Sequence, residues 1–94
     1  MMYGTIAKMK ILPGKEADLK NMGQQQPPGL VFEHIYKLDS GENEYMLVVG
    51  FESKAAYKKN AESPEMHQMY LEYRKFLAAD PEWHDGEIVE SQPR

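Results

Sequence analysis

A chain of 94 residues is one domain's worth of sequence; at this length only about 60–65% of the unfolded surface is buried, so stability often draws on disulfides, a metal or a partner subunit. The absence of cysteine excludes disulfides, thiolate catalysis, thiol redox chemistry and zinc ribbons. With 15 acidic against 11 basic residues, a net charge of −4 and no basic block, nucleic acid is disfavoured as a partner; no apolar run nears the roughly 18 residues of a membrane span, and Met1-Met2-Tyr3-Gly4 lacks the start of a secretory signal, so a soluble, cytoplasmic protein without membrane association is expected.

Tyr3 to Leu12 carries Tyr, Thr and Ile and is closed by Pro13-Gly14, which predicts a first strand. Lys15 to Met22 is polar with Leu19 and Met22 three apart, a short amphipathic helix that Gly23 can cap. Pro27 and Pro28 prevent any helix from continuing through Gln24 to Gly29, which is read as a loop. Leu30 to Leu38 then alternates, with Leu30, Phe32, His34, Tyr36 and Leu38 on one face and Val31, Glu33, Ile35 and Lys37 on the other, a second strand. After a turn cluster at Asp39 to Asn43, Glu44 to Glu52 forms a third strand paired as a hairpin. Tyr45, Leu47, Val49 and Phe51 fill one face of it while Met46 and Val48 fill the other, so both faces call for burial.

Ser53 to Ala61 is read as a short helix capped by Ser53, and Ser63-Pro64-Glu65 starts another with a cap residue followed by proline at the first helical position. In that second helix Met66, Met69, Tyr70, Tyr73 and Leu77 follow the spacing of a core-facing stripe, and Asp80-Pro81 ends it near residue 79. Glu82 to Glu90 is the last strand, bent at Gly86, with Trp83 as a packing anchor and Ser91 to Arg94 as a frayed tail. The order β-α-β-β-α-β predicts a single α+β domain over residues 1–94, with its core at about 3–89. The architecture is ferredoxin-like, a four-stranded antiparallel sheet with helices on one face. The helices cover only one face, and a second copy of the chain is the economical cover for the other.

The segment Phe51-Glu52-Ser53-Lys54-Ala55-Ala56-Tyr57, the Ser63-Pro64 helix start and the final strand after Asp80-Pro81 together resemble the antibiotic biosynthesis monooxygenase-like family. The resemblance runs from Tyr3 to about Val89 and rests on structural motifs. It implies a homodimeric α/β barrel in which two sheets face one another, each subunit holding a pocket between sheet and helices. Members include oxygenases of aromatic polyketides or quinols that use neither metal nor flavin, haem-degrading enzymes, and proteins without assigned activity. Asn60 stands where members often carry a histidine. Haem degraders use a strand-one asparagine, which is missing here, and a tryptophan near the position of Asn60, whereas the only tryptophan in this chain is Trp83. Tyr70 lies nearer the haem-ligating place than His67, so haem degradation is disfavoured while His67 keeps haem binding open.

Cofactor-free oxygen insertion needs a base to deprotonate an acidic phenol or anthrone and donors to hold the resulting anion in an apolar pocket. The candidate bases are His67, on the flank of the long helix, and His34, on strand two. The candidate donors and pocket walls are Tyr70, Tyr73, Arg74 and Met66 on the helix, with Phe32 and Tyr36 beside His34 on the strand. Each has a plainer reading: core packing for the Met and Tyr stripe, a helix flank for His67, an interfacial or core histidine for His34, an intrahelical ion pair for Arg74. His84-Asp85 is discounted as a base with its orienting carboxylate because neighbouring strand residues point to opposite faces. The histidines show no HxH or HxxxH spacing, and no glycine-rich phosphate loop or G-x-S-x-G motif occurs, so metal, nucleotide and hydrolase readings fall and no cofactor is expected. The leading expectation is a cofactor-independent monooxygenase of a small aromatic or quinol-like substrate. The alternative is a non-catalytic dimeric ligand-binding or stress-associated protein.

Overall fold

Tyr3–Lys10 (β1), Leu30–Lys37 (β2), Glu44–Phe51 (β3) and Glu82–Glu87 (β4) form one antiparallel sheet in the order β2-β3-β1-β4. The computed structural model describes residues 1–22 and 26–92. Three helices, Glu16–Met22 (α1), Lys54–Ala61 (α2) and Pro64–Arg74 (α3), accompany the sheet, giving the ferredoxin-like α+β architecture that the element order predicts. Gly23, the expected cap of α1, lies outside the described residues. No helix among the described residues is long and apolar enough to cross a membrane.

The two cap signals act as read. Ser53 accepts a hydrogen bond from the Ala56 amide and Ser63 one from the Met66 amide, each at 3.1 Å, satisfying a donor that the first helical turn leaves free. The end of α3 differs from the pattern. The helix stops at Arg74 because Leu77 leaves it to make a bridge with Ile11, the Leu12 amide donating to the Phe76 carbonyl and the Ala78 amide to the Lys10 carbonyl, both at 2.8 Å. Leu77 thus remains buried, but as an extended residue. Arg74 fixes the departing chain, donating to Asp80 at 2.8 Å and to the Leu77 carbonyl at 3.0 Å. The first and last strands are shorter than their apolar runs, since Ile11 joins this bridge and β4 ends before Ile88, which adds one bond to the Met2 carbonyl.

Ala7, Met9, Tyr45, Leu47, Val49 and Phe51 bury one face of the sheet together with Ile11, Leu19 and Leu77. The opposite, outer face carries Ile6, Phe32, His34, Tyr36, Met46, Val48 and His84, as the strand registers require. Phe32 and His34 stack there at 5.6 Å between ring centres. Phe32 lies over Gly50, where a β-carbon would come 2.3 Å from the ring, so a larger residue there would have to push the Phe32 ring aside.

One irregularity changes what β2 presents. The register against β3 slips between Leu30 and Phe32, a bulge at Val31 that turns Leu30 onto the helix side together with Glu33, although alternation alone groups Leu30 with Phe32 and His34.

Polar contacts tie α1 to the sheet. The Tyr45 hydroxyl donates to Glu16, which also meets Lys20 and Lys37, each at 3.3 Å. The Tyr45 hydrogen bond, then the two lysines, hold the Glu16 carboxyl at about 2, against an ordinary 4.5. A carboxyl depressed on folding stabilises the native state above its unfolded value and loses that contribution as pH falls toward its folded value. Wild type is therefore expected to outlast Glu16→Gln in urea unfolding at pH 6, and the difference in midpoint should close between about pH 4.5 and 2. A difference that persists unchanged to pH 2 would mean that the ionised carboxylate is not the stabilising group.

Candidate functional site

A cavity of about 360 Å³ lies between the buried face of the sheet and helices α2 and α3. The sheet supplies Thr5, Leu30, Glu33, Leu47, Val49, Phe51 and Trp83; α2 and α3 supply Tyr57, Asn60, Met66, His67, Met69, Tyr70 and Tyr73. The stripe at helical spacing explains the second set: Met66, Met69, Tyr70 and Tyr73 recur on one side of α3, and His67 on the flank of that stripe reaches the rim while remaining exposed.

The candidate residues divide by face. His67, Tyr70, Tyr73 and Met66 share the cavity. Phe32, His34 and Tyr36 do not join them, because alternation after the Val31 bulge carries all three to the outer face, with the thickness of the sheet between the two groups. Arg74 is committed to Asp80 and the Leu77 carbonyl and is not among the cavity residues. Trp83 is not the packed anchor expected: it is 43% exposed at the cavity edge. The His84-Asp85 pair splits between faces as expected, His84 meeting Glu82 at 2.8 Å while Asp85 accepts a 2.9 Å hydrogen bond from Tyr57.

Polar groups inside the cavity differ in how they are satisfied. Tyr57 is held by that bond to Asp85 and by packing against Phe51 and Tyr3. Burial first, then Asp85, push its phenol up to about 12. The Asn60 amide rests on the Met66 sulfur at 3.7 Å. By contrast, the hydroxyls of Thr5 and Tyr73 are buried without a hydrogen-bond partner among the described residues. Glu33 is partly buried in the same wall, and desolvation raises its carboxyl above the ordinary range. Tyr73 is raised too, by burial and then by the charge of Glu33. No Lys or Arg occurs among the described residues lining the cavity.

Glu33, Thr5 and Asn60 are absent from the candidate site residues read from the sequence. For Glu33 a signal exists: an acidic side chain sharing a strand face with Ile35. Thr5 offers none, since a threonine in a strand is ordinary.

No family model and no curated protein matches the sequence. Solved structures do match in shape. One from Chloroflexus aurantiacus, whose name assigns it to the antibiotic biosynthesis monooxygenases, superposes with a TM-score of 0.80 at 22% identity over 99% of this chain and 98% of its own. SnoaB from Streptomyces nogalater, named as a cofactor-independent oxygenase, gives 0.81 at 11% identity over 99% and 98%. This chain has the antibiotic biosynthesis monooxygenase fold. A Bordetella bronchiseptica protein named for the same monooxygenases gives 0.76 at 21% identity, over 95% of this chain and 98% of that one. Agreement over whole chains at such low identity fixes the monooxygenase fold, while the chemistry has to be argued from the cavity's own residues.

Proposed function

We propose that the protein is a cofactor-independent monooxygenase of a small hydroxylated aromatic, such as a quinol or anthrone, acting as a cytoplasmic homodimer. The observation that carries this reading is the composition of the cavity: an imidazole and two tyrosines of α3, His67, Tyr70 and Tyr73, beside a largely apolar wall that includes Met66, Leu47 and Phe51. In the proposed reaction His67 takes a proton from the substrate, and Tyr70 or Tyr73 donates a hydrogen bond to the oxygen on which the negative charge collects. Met66 and its apolar neighbours keep water away from that anion. The anion is the reductant. Oxygen adds at the activated carbon and water is lost from the resulting hydroperoxide: in an anthrone CH₂ and O₂ become C=O and H₂O, and a quinol with O₂ becomes a hydroxyquinone and H₂O, with no outside electron donor in either case. The shared fold with SnoaB supports the assignment.

Oxygen uptake with a panel of quinols and anthrones tests it. Uptake above a protein-free control, unchanged by a metal chelator, is the expected result. Failure with every member of the panel would reject the oxygenase and leave a ligand-binding protein of the same fold.

The outer sheet face supports the proposed dimer, since Ile6 is 43% and Tyr36 56% exposed there beside Met46 and Val48. Light scattering at micromolar concentration is expected to give about twice the 10.9 kDa chain mass. Val48→Asp, which sets a carboxylate among these side chains, is expected to shift the protein to monomer. A wild-type monomer would remove this part of the proposal.

A further inference from the structure

Within the cavity, the carboxylate of Glu33 has no part in the reaction proposed above, and Tyr73 enters it only as an alternative to Tyr70. Glu33 presents a carboxylate from the sheet to the same cavity that Tyr73 lines from α3, and the buried Tyr73 hydroxyl has no hydrogen-bond partner among the described residues. The two are chemically complementary, one an acceptor and the other a donor, yet they are not bonded to each other. A ligand group in the cavity that meets both must accept from Tyr73 and donate to Glu33. A neutral hydroxyl does both. A carboxylate can only accept, and it would also bring a second negative charge into an apolar chamber with no Lys or Arg among its described lining residues.

We propose that Glu33 and Tyr73 form a hydroxyl-recognition pair: Tyr73 donates to the oxygen of a neutral phenolic hydroxyl, which in turn donates to the Glu33 carboxylate, so the site selects uncharged hydroxyaromatics and rejects aromatic carboxylates. The regular register of β2 against β3, in which Glu33 pairs with Val49 of the buried face, is what sets Glu33 on the cavity side. The preference also suits the proposed reaction, because a substrate bearing its own carboxylate would oppose formation of a second anion. The inference takes from that reading only the premise that the cavity binds a hydroxylated aromatic.

Equilibrium binding under nitrogen tests it with three probes of similar shape: 1-naphthol, 1-methoxynaphthalene, which keeps the acceptor oxygen but lacks the donor, and 1-naphthoate. Wild type is expected to prefer 1-naphthol over each of the others by about 10- to 100-fold, the range for one charge-assisted hydrogen bond. Glu33→Gln, nearly identical in shape, is expected to lower the naphthol-to-naphthoate preference by at least about 10-fold. Tyr73→Phe should weaken naphthol and methoxynaphthalene alike, leaving their ratio unchanged, with circular dichroism confirming that both variants are folded. Naphthoate binding to wild type as tightly as naphthol, an unchanged ratio in Glu33→Gln, or no binding of any probe would overturn the proposal. The two readings also fail separately. Naphthol discrimination without oxygen uptake from any quinol would remove the oxygenase alone, and oxygen uptake with an unchanged Glu33→Gln ratio would remove the recognition pair alone.

Discussion

Replacing His67 by alanine is expected to lower the rate of oxygen consumption by about 100- to 10,000-fold, the usual cost of losing a positioned general base. The expectation rests on position as much as on residue type. His67 is the one histidine lining the cavity, on the helix flank beside Tyr70, whereas His34 and His84 stand on the outer face of the sheet. Imidazole is also the side chain that exchanges a proton near neutral pH without special tuning. Two comparisons separate this effect from damage to the fold. Lys58→Ala, on the exposed side of α2, should retain the parental rate. His34→Ala should leave the chemistry of a single cavity intact and act only through contacts of the outer face. Parental turnover in folded His67→Ala would show that another group, or the acidity of the substrate itself, carries the deprotonation.

The second large effect is on stability. Leu19→Ala is expected to cost about 2–5 kcal/mol, as deletions of buried leucine side chains do. Leu19 is fully buried in the core cluster, and it is the only buried residue among those described in α1. A helix of seven residues cannot persist on backbone hydrogen bonding alone, because nucleation is unfavourable at that length. Packing of Leu19, with the Glu16 and Tyr45 contact, must hold it to the sheet. For a domain of this size each 1 kcal/mol moves the melting temperature by roughly 4–8 °C, so thermal unfolding followed by circular dichroism should show a drop of about 8–40 °C. Leu71→Ala is the matched control: Leu71 is 45% exposed on α3, and its loss is expected to fall within about 0.5 kcal/mol of wild type. Equal, small effects for both leucines would mean that α1 contributes little to the core.

Local chemistry determined much of this molecule. The strand runs, the hairpin turn, the serine caps at Ser53 and Ser63 and the two-faced character of β3 could be read from near neighbours in the chain, because they depend on side-chain period, on the φ limits of proline and on caps that satisfy free amides within three residues. The same locality put His84 and Asp85 on opposite faces and gathered Met66, Met69, Tyr70 and Tyr73 into one stripe. Contacts between residues distant in sequence decided the rest. Alternation states which residues share a face of β2 but not which face the helices will cover, so His34, Phe32 and Tyr36 read as well as Glu33 for a place in the cavity until the packing of α2 and α3 chose the other side. The bulge at Val31 depends on pairing with β3, and it alone moved Leu30 across the sheet. Leu77 has the periodicity of a helical core residue, yet a partner 66 positions earlier, Ile11, drew it into extended pairing. A repeating pattern fixes relative orientation over a few residues, whereas the absolute direction of a face, and hence the membership of a cavity, is set only when the whole sheet is assembled.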